Sequence, residues 1–186
     1  MNLNELLMSV GGEAAAGQLG SRFGLDESQT KAALEQLIPP LGNGLQRNIS
    51  SDGGVDSLLN ALSGGNHGQY LDNPELINGE ETTATGNSIL GHLLGSKDAS
   101  REVAASASAQ TGIGAGILKQ MLPLVATMVM GALRKRTDQS GYLASPGSPA
   151  QPEGFLSMLT PLLDPNRDAS AAGDALGMIG RYMRNR

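Results

Sequence analysis

Residues 123–133 of the chain read PLVATMVMGAL, and the basic triplet Arg134-Lys135-Arg136 follows them. Apolar residues fall on nearly every face that a helix of this sequence would have. A helix that is hydrophobic all round is normally buried, so we predict that residues 123–133 form the central helix of a bundle. The basic triplet would complement the negative end of that helix.

The same run is too short to predict a membrane span. The most apolar stretch covers residues 120–133 and contains Pro123, whereas a transmembrane helix needs about 20 apolar residues. The N-terminus has neither a basic start nor an apolar core of the signal-peptide type. These features predict no membrane span and a cytoplasmic location.

An internal repeat surrounds this central run. Residues 14–41 and 104–125 both contain an alanine-rich amphipathic stretch, a glycine-hydrophobic stop and a second run that reaches a proline. Gly24-Leu25 corresponds to Gly112-Ile113, and QLIP at 36–39 corresponds to QMLP at 120–123. The first copy carries about one extra helical turn. The repeat predicts two related helical units that superpose.

Short amphipathic helices account for the rest of residues 1–136. Leu and Ile recur at helical spacing, and no alternating, β-branched run predicts a strand. Gly24 suits a left-handed helix end, and Asp26 with Gln29 forms a capping-box pattern at the next helix. We expect Pro39-Pro40 to end or kink that helix. The predicted fold class is an all-α multihelical bundle built from two related units.

Between residues 65 and 86 the helical periodicity disappears. The segment is rich in turn-forming and polar residues, and we predict a structureless connection followed by a helix capped by Asn87 or Ser88. Long connections of this kind are often functional or mobile. His67, Tyr70 and Asp72 are therefore the candidate residues of a site in this loop.

The C-terminal part divides into a linker and a helical hairpin. Residues 137–153 contain Pro146, Pro149 and Pro152, spaced by three among Ser and Gly, which predicts an extended linker. Residues 154–186 predict two amphipathic helices whose apolar surface exceeds what a hairpin can hide. The candidate interaction residues on this surface are Phe155, Leu159, Leu162, Ile179 and Tyr182.

Composition excludes several classes of function. The formal net charge is −5, and aromatic residues make up 3% of the chain, which disfavours nucleic-acid binding. The chain contains no cysteine, so disulfides, thiolate metal sites and a cysteine nucleophile are excluded. The eight methionines and scarce aromatics predict an adaptable, aliphatic core.

Candidate sites for chemistry are weak in this sequence. The chain has two histidines, and we expect His92, beside Leu93 on a short helix, to be a structural residue that is half-buried or at the rim of the core. The order Gly95-Ser96-Lys97 departs from a phosphate loop and fits a junction between two helices. Asp164, Asn166 and Asp168 follow calcium-loop spacing, but the glycine and the final bidentate acid of such a loop are missing. No cofactor or metal site is predicted.

Two runs resemble the signature of YidB-like bacterial proteins. They are GNSILGHLLGSKDASR at 86–101 and LKQMLPLVATMVMGAL at 118–133, and the similarity spans about residues 2–136. The resemblance implies an all-helical fold. It carries no catalytic residues over, because the family has no established chemistry.

These features favour a non-enzymatic interaction or assembly protein that acts through apolar helix surfaces, by self-association or with a protein partner. The alternative is an enzyme or small-molecule binder with a site in the 65–86 loop around His67. A carrier of an apolar ligand in the methionine-rich core is a third possibility.

Overall fold

The structure, a computed structural model, describes residues 3–65, 67–139 and 159. This part of the chain is all-α and has no strand, which confirms the predicted fold class. Its helices are α1 (Leu3–Leu7), α2 (Glu13–Phe23), α3 (Glu27–Ile49), α4 (Gly54–Gly64), α5 (Gln69–Asp72), α6 (Glu80–Leu94), α7 (Lys97–Thr111) and α8 (Ala115–Gln139). A kinked π-helical segment, Met8–Gly12, joins α1 to α2, and a 3₁₀ helix, Pro74–Asn78, lies between α5 and α6.

Helix α8 is the centre of the bundle. Every residue from Met121 to Leu133 is buried, as the apolar run predicts. The helix packs most extensively against α6 and α7 and also contacts α1, α2, α3, α4 and α5. Within the described ranges it is the helix whose length and composition would allow a membrane span, and 78% of its apolar window is buried inside the protein. That degree of burial is typical of a core helix.

The sequence predicts that Pro39-Pro40 end or kink their helix; α3 continues through both prolines, so the predicted helix end is wrong. The helix runs from Glu27 to Ile49 with both prolines inside it. Proline removes backbone donors, but Pro39 is exposed and lies on the side of α3 away from the core. Leu37 and Leu41, on either side of the prolines, are both fully buried, and their packing holds the two halves of α3 together.

The two predicted repeat units have the same order of local features. Helices α2 and α7 both end at a glycine in the left-handed conformation, Gly24 (φ 67°) and Gly112 (φ 72°). A long helix with proline in its interior follows in each case. Asp26 and Gln29 form the expected capping box, with the Gln29 N–H donating to Asp26 Oδ1 at 2.8 Å. Superposition of the two units remains a prediction.

The connection between α4 and α6 is folded, which corrects the prediction of a structureless 65–86 segment. Helix α5 and the 3₁₀ helix occupy most of it, and Ile77 is fully buried. Helix α6 begins at Glu80, so Asn87 and Ser88 lie inside the helix and do not cap it. Tertiary burial orders this segment, although its sequence lacks helical periodicity.

The C-terminal region is described at one residue. Leu159 is fully buried and belongs to the same hydrophobic cluster as the buried apolar residues of α1 to α8. The rest of the predicted linker and hairpin, including Phe155, Leu162, Ile179 and Tyr182, lies outside the described residues. Helix α8 extends past the predicted domain boundary at residue 136.

Candidate functional site

His67, the main candidate of the predicted loop site, is buried beside α8. The residue lies just after the end of α4 in the chain, and it is 8% exposed. Its imidazole lies directly against Gly65, where a Cβ atom would overlap the ring. Its carbonyl oxygen lies close to Gly131, 2.6 Å from the position that a Cβ would take there. Two glycines therefore make the space that His67 fills between the end of α4 and α8.

Arg134 of α8 fixes the end of α4 next to this histidine. Its Nη1 donates to the carbonyl oxygens of Leu62 and Gly65, the latter at 2.6 Å. Its Nε lies 3.6 Å from Asp138 Oδ2 one turn along α8. A guanidinium bound to the last carbonyls of a helix complements the negative end of its dipole. Arg134 thus acts as a C-terminal cap on α4.

Burial is the main cause that lowers the pKa of His67 below its ordinary value, and the positive charge of Arg134 lowers this pKa further. A hydrogen bond with the backbone at Ala61 opposes both effects. The imidazole is therefore held neutral around neutral pH. A neutral histidine packed beside a glycine and an arginine serves the structure of this corner.

Tyr70 and Asp72, the other two candidates of the loop, lie on α5. Tyr70 is buried at 7% exposure. Asp72 forms an ion pair with Lys135 of α8, and Lys135 Nζ also donates to the carbonyl oxygen of Val10 at 3.4 Å. The basic triplet does more than complement the dipole of α8, which is the role that its sequence position predicts. In the structure its first two residues fasten the 62–72 segment to the central helix.

A shallow apolar hollow lies on another side of the bundle, where α3, α4, α6 and α8 meet. Its volume is about 130 Å³. Its floor and walls are apolar, and Asn48, Ser57 and His92 supply polar groups at the edge. The apolar lining residues are Leu45, Leu58, Ala61, Ile89, Leu93 and Met130. Ala61 and His92 are exposed, so the hollow is open to solvent. No contiguous motif in the sequence marks this hollow, because its lining residues come from four helices.

His92 is exposed and lies at the rim of the core, which is one of the two positions that the sequence predicts. Its helix is longer than expected, since His92 lies near the end of the fifteen-residue α6. Its carbonyl oxygen accepts a hydrogen bond from Asn48 Nδ2 at 2.5 Å, which links α6 to α3. The histidine ring itself remains at the edge of the apolar hollow.

The segments that resemble known binding loops divide into two cases. Gly95 ends α6 in the left-handed conformation, and Ser96 caps α7 by accepting a hydrogen bond from the Ala99 N–H at 3.1 Å. This confirms the predicted helix junction. Across residues 3–65 and 67–139, no three acidic or histidine side chains are grouped to hold a metal. The calcium-like segment at residues 164–174 lies outside the described residues.

Comparison with known proteins gives one family. The family model described as "Bacterial protein of unknown function (DUF937)" matches residues 5–136. This range covers α2 to α7 completely and nearly all of the buried part of α8. No curated protein and no solved structure matches the chain. The YidB-like resemblance is consistent with this family. The chain belongs to the bacterial DUF937 family.

Proposed function

We propose that this protein is a non-enzymatic assembly protein whose copies associate through apolar helix surfaces. The apolar hollow carries the proposal. It presents leucine, isoleucine and methionine side chains at an opening that exposed Ala61 and His92 border. An engineered apolar cavity of about 150 Å³ binds benzene, so a hollow of this size has room for one branched or aromatic side chain.

The C-terminal segment is the proposed source of that side chain. Leu159 is fully buried in the core cluster of the bundle. Its burial is an example of an apolar side chain of this segment packing on the helical bundle. Phe155, Leu162, Ile179 and Tyr182 continue the same apolar pattern in the sequence. A segment that docks on its own bundle can dock on a second copy with similar contacts, and the balance then depends on concentration.

The positions of the loop candidates also support a structural role over a catalytic one. The surroundings of the buried His67 imidazole disfavour its protonation, and Asp72 forms an ion pair with Lys135. These groups act on neighbouring parts of the same chain. An acid or base in catalysis must instead reach the substrate within hydrogen-bond distance.

Light scattering on the full chain over about a hundredfold range of concentration tests the proposal. We expect the mean mass to rise with concentration. In Ala61→Glu the new carboxylate stands at the opening of the apolar hollow, where desolvation opposes a contact. Association should weaken by about tenfold or more, which corresponds to about 1.4 kcal/mol.

Ala84→Glu is the matched control. Ala84 is an exposed alanine of α6 that does not line the apolar hollow, so the same change of charge and size occurs there away from the proposed contact. We expect Ala84→Glu to associate like the original chain. A protein that stays monomeric at every concentration refutes self-assembly. Equal weakening by both substitutions refutes the role of the hollow.

A further inference from the structure

A second pocket lies where the end of α2, the first half of α6 and the start of α8 meet. Its volume is about 380 Å³, within the range of about 300–1,000 Å³ that small-molecule sites have. We call it the cationic pocket, because Arg22 and Lys119 line it. Its polar side chains come from three helices and are those of Arg22, Thr83, Asn87, Lys119 and Gln120. The apolar hollow and the His67 corner share none of these residues.

The charge of the cationic pocket is opposite to that of the chain. Arg22 and Lys119 line it, and no carboxylate does among the residues that the structure describes. The chain as a whole carries a formal net charge of −5. Two like charges in one cleft repel each other and concentrate a positive potential there. An anion between them would relieve the repulsion.

The two cations differ in how they are held. Arg22 Nη1 donates to the carbonyl oxygen of Ile77 at 2.7 Å, and its guanidinium carbon lies 5.7 Å from the centre of the Phe23 ring. A guanidinium has five N–H donors, so this anchoring fixes its direction and leaves donors for a ligand. Within the described part of the chain, Lys119 Nζ has no ion pair and no hydrogen bond.

Two uncharged groups point to a ligand with several acceptor oxygens. Thr83 Oγ1 is buried and has no hydrogen-bond partner among the described residues, and an unpaired buried hydroxyl costs free energy. Gly116 is the second residue of α8, where a backbone N–H has no intrahelical carbonyl to donate to, and the first turn of this helix contains no acidic side chain. Together with the Asn87 amide, these groups add donors to those of the cations.

We propose that the cationic pocket binds a phosphate group, either as free phosphate or as the phosphate of a small monoester. A phosphate has three strong acceptor oxygens and about two negative charges, which matches two cations and donors from three helices. A carboxylate has two oxygens and one charge, so it would leave donors unpaired. The phosphate contacts would come from Arg22, Lys119 and Asn87.

Titration of the ¹⁵N-labelled full chain, followed by NMR, tests the proposal. The probes are inorganic phosphate, glycerol 3-phosphate, glycerol and acetate. We expect saturable shifts at the amides of Arg22, Asn87 and Gly116, with a dissociation constant of about 1 mM or lower. Tighter binding of glycerol 3-phosphate than of inorganic phosphate assigns a monoester, and the reverse order assigns free phosphate. Glycerol alone should cause no saturable shift.

Lys119→Gln should weaken phosphate binding by about tenfold, because it removes one of the two charges. Lys119 is exposed, so this substitution leaves the fold intact. Lys97→Gln is the matched control, since Lys97 is an exposed lysine in the first turn of α7 and does not line the cationic pocket. No saturable shift at about 10 mM phosphate overturns the proposal. Equal weakening by both substitutions, or acetate binding as tight as phosphate, also overturns it.

Discussion

Gly86 is the position where helix α6 comes closest to the central helix α8. A Cβ atom at Gly86 would overlap the carbonyl oxygen of Pro123 and would lie 2.5 Å from its carbonyl carbon. Ordinary contact begins at 3.4 Å, so one of the two backbones would have to move by more than about 0.9 Å, because the oxygen lies even closer than the carbon. Thr127 Oγ1 also donates to this same oxygen, at 3.0 Å. The substitution Gly86→Ala therefore forces apart two helices that are packed through their backbones.

The expected cost follows from two opposing effects. Alanine stabilises a helix interior over glycine by about 1 kcal/mol. Overpacking in a core costs about 1–3 kcal/mol, and here the obstacle is buried backbone that cannot rotate away. Because the obstacle is backbone, the upper end of the overpacking cost applies, and subtracting the helix-propensity gain leaves a loss of about 2 kcal/mol in the free energy of unfolding for Gly86→Ala.

Gly91→Ala, on the same helix, provides the control. A Cβ at Gly91 meets no atom within 4 Å, so the substitution should raise the free energy of unfolding by up to about 1 kcal/mol. Urea unfolding followed by circular dichroism measures both values. Equal stability of the two variants would show that α6 and α8 do not pack through Gly86.

Three further predictions concern the core and the corner around His67. Val129→Asp places a charge at a residue that is 1% exposed and should lower the free energy of unfolding by several kcal/mol. The control Gln139→Asp, at an exposed position of α8, should change this free energy little. A native-like melting temperature for Val129→Asp contradicts the burial of Val129. Because the pKa of His67 is lowered in the folded protein, the unfolded chain binds more protons below about pH 6.5, and the free energy of unfolding falls as pH decreases through that window. Urea unfolding between about pH 7 and 5 measures how the free energy of unfolding depends on pH, and this dependence should be shallower in His67→Gln than in the control His92→Gln. Identical pH dependences in the two variants contradict a lowered pKa for His67. Arg134→Gln removes the cap on α4, so it should lower the free energy of unfolding by about 1–3 kcal/mol and speed up amide hydrogen exchange in α4. Unchanged exchange in α4 rules out the capping role of Arg134.

Local signals in the sequence predicted much of the fold correctly. Gly24, Gly95 and Gly112 end their helices, and the Asp26 cap starts α3, because each of these effects depends on only a few neighbouring residues. The burial of residues 123–133 was predictable for a similar reason, since a helix without a polar face must be enclosed.

Features that depend on tertiary packing were missed. Leu37 and Leu41 hold α3 together across its prolines, and Ile77 orders a segment whose sequence has no helical period. The ion pair between Asp72 and Lys135 joins residues far apart in the chain, and the sequence around either residue does not predict it. The apolar hollow and the cationic pocket each combine side chains from three or four helices, so no contiguous motif marks them.

The central position of α8 has a consequence for the order in which the chain can fold during synthesis. The helices that pack around α8 precede it in the sequence, and Lys135 reaches back to the carbonyl of Val10. Until α8 has left the ribosome, the leucines of α1, α3 and α6 lack the surface that buries them. Non-local contacts of this kind slow folding, and exposed apolar surface on a nascent chain favours aggregation. We therefore expect the N-terminal helices to depend on chaperones, or to remain only loosely formed, until α8 is translated.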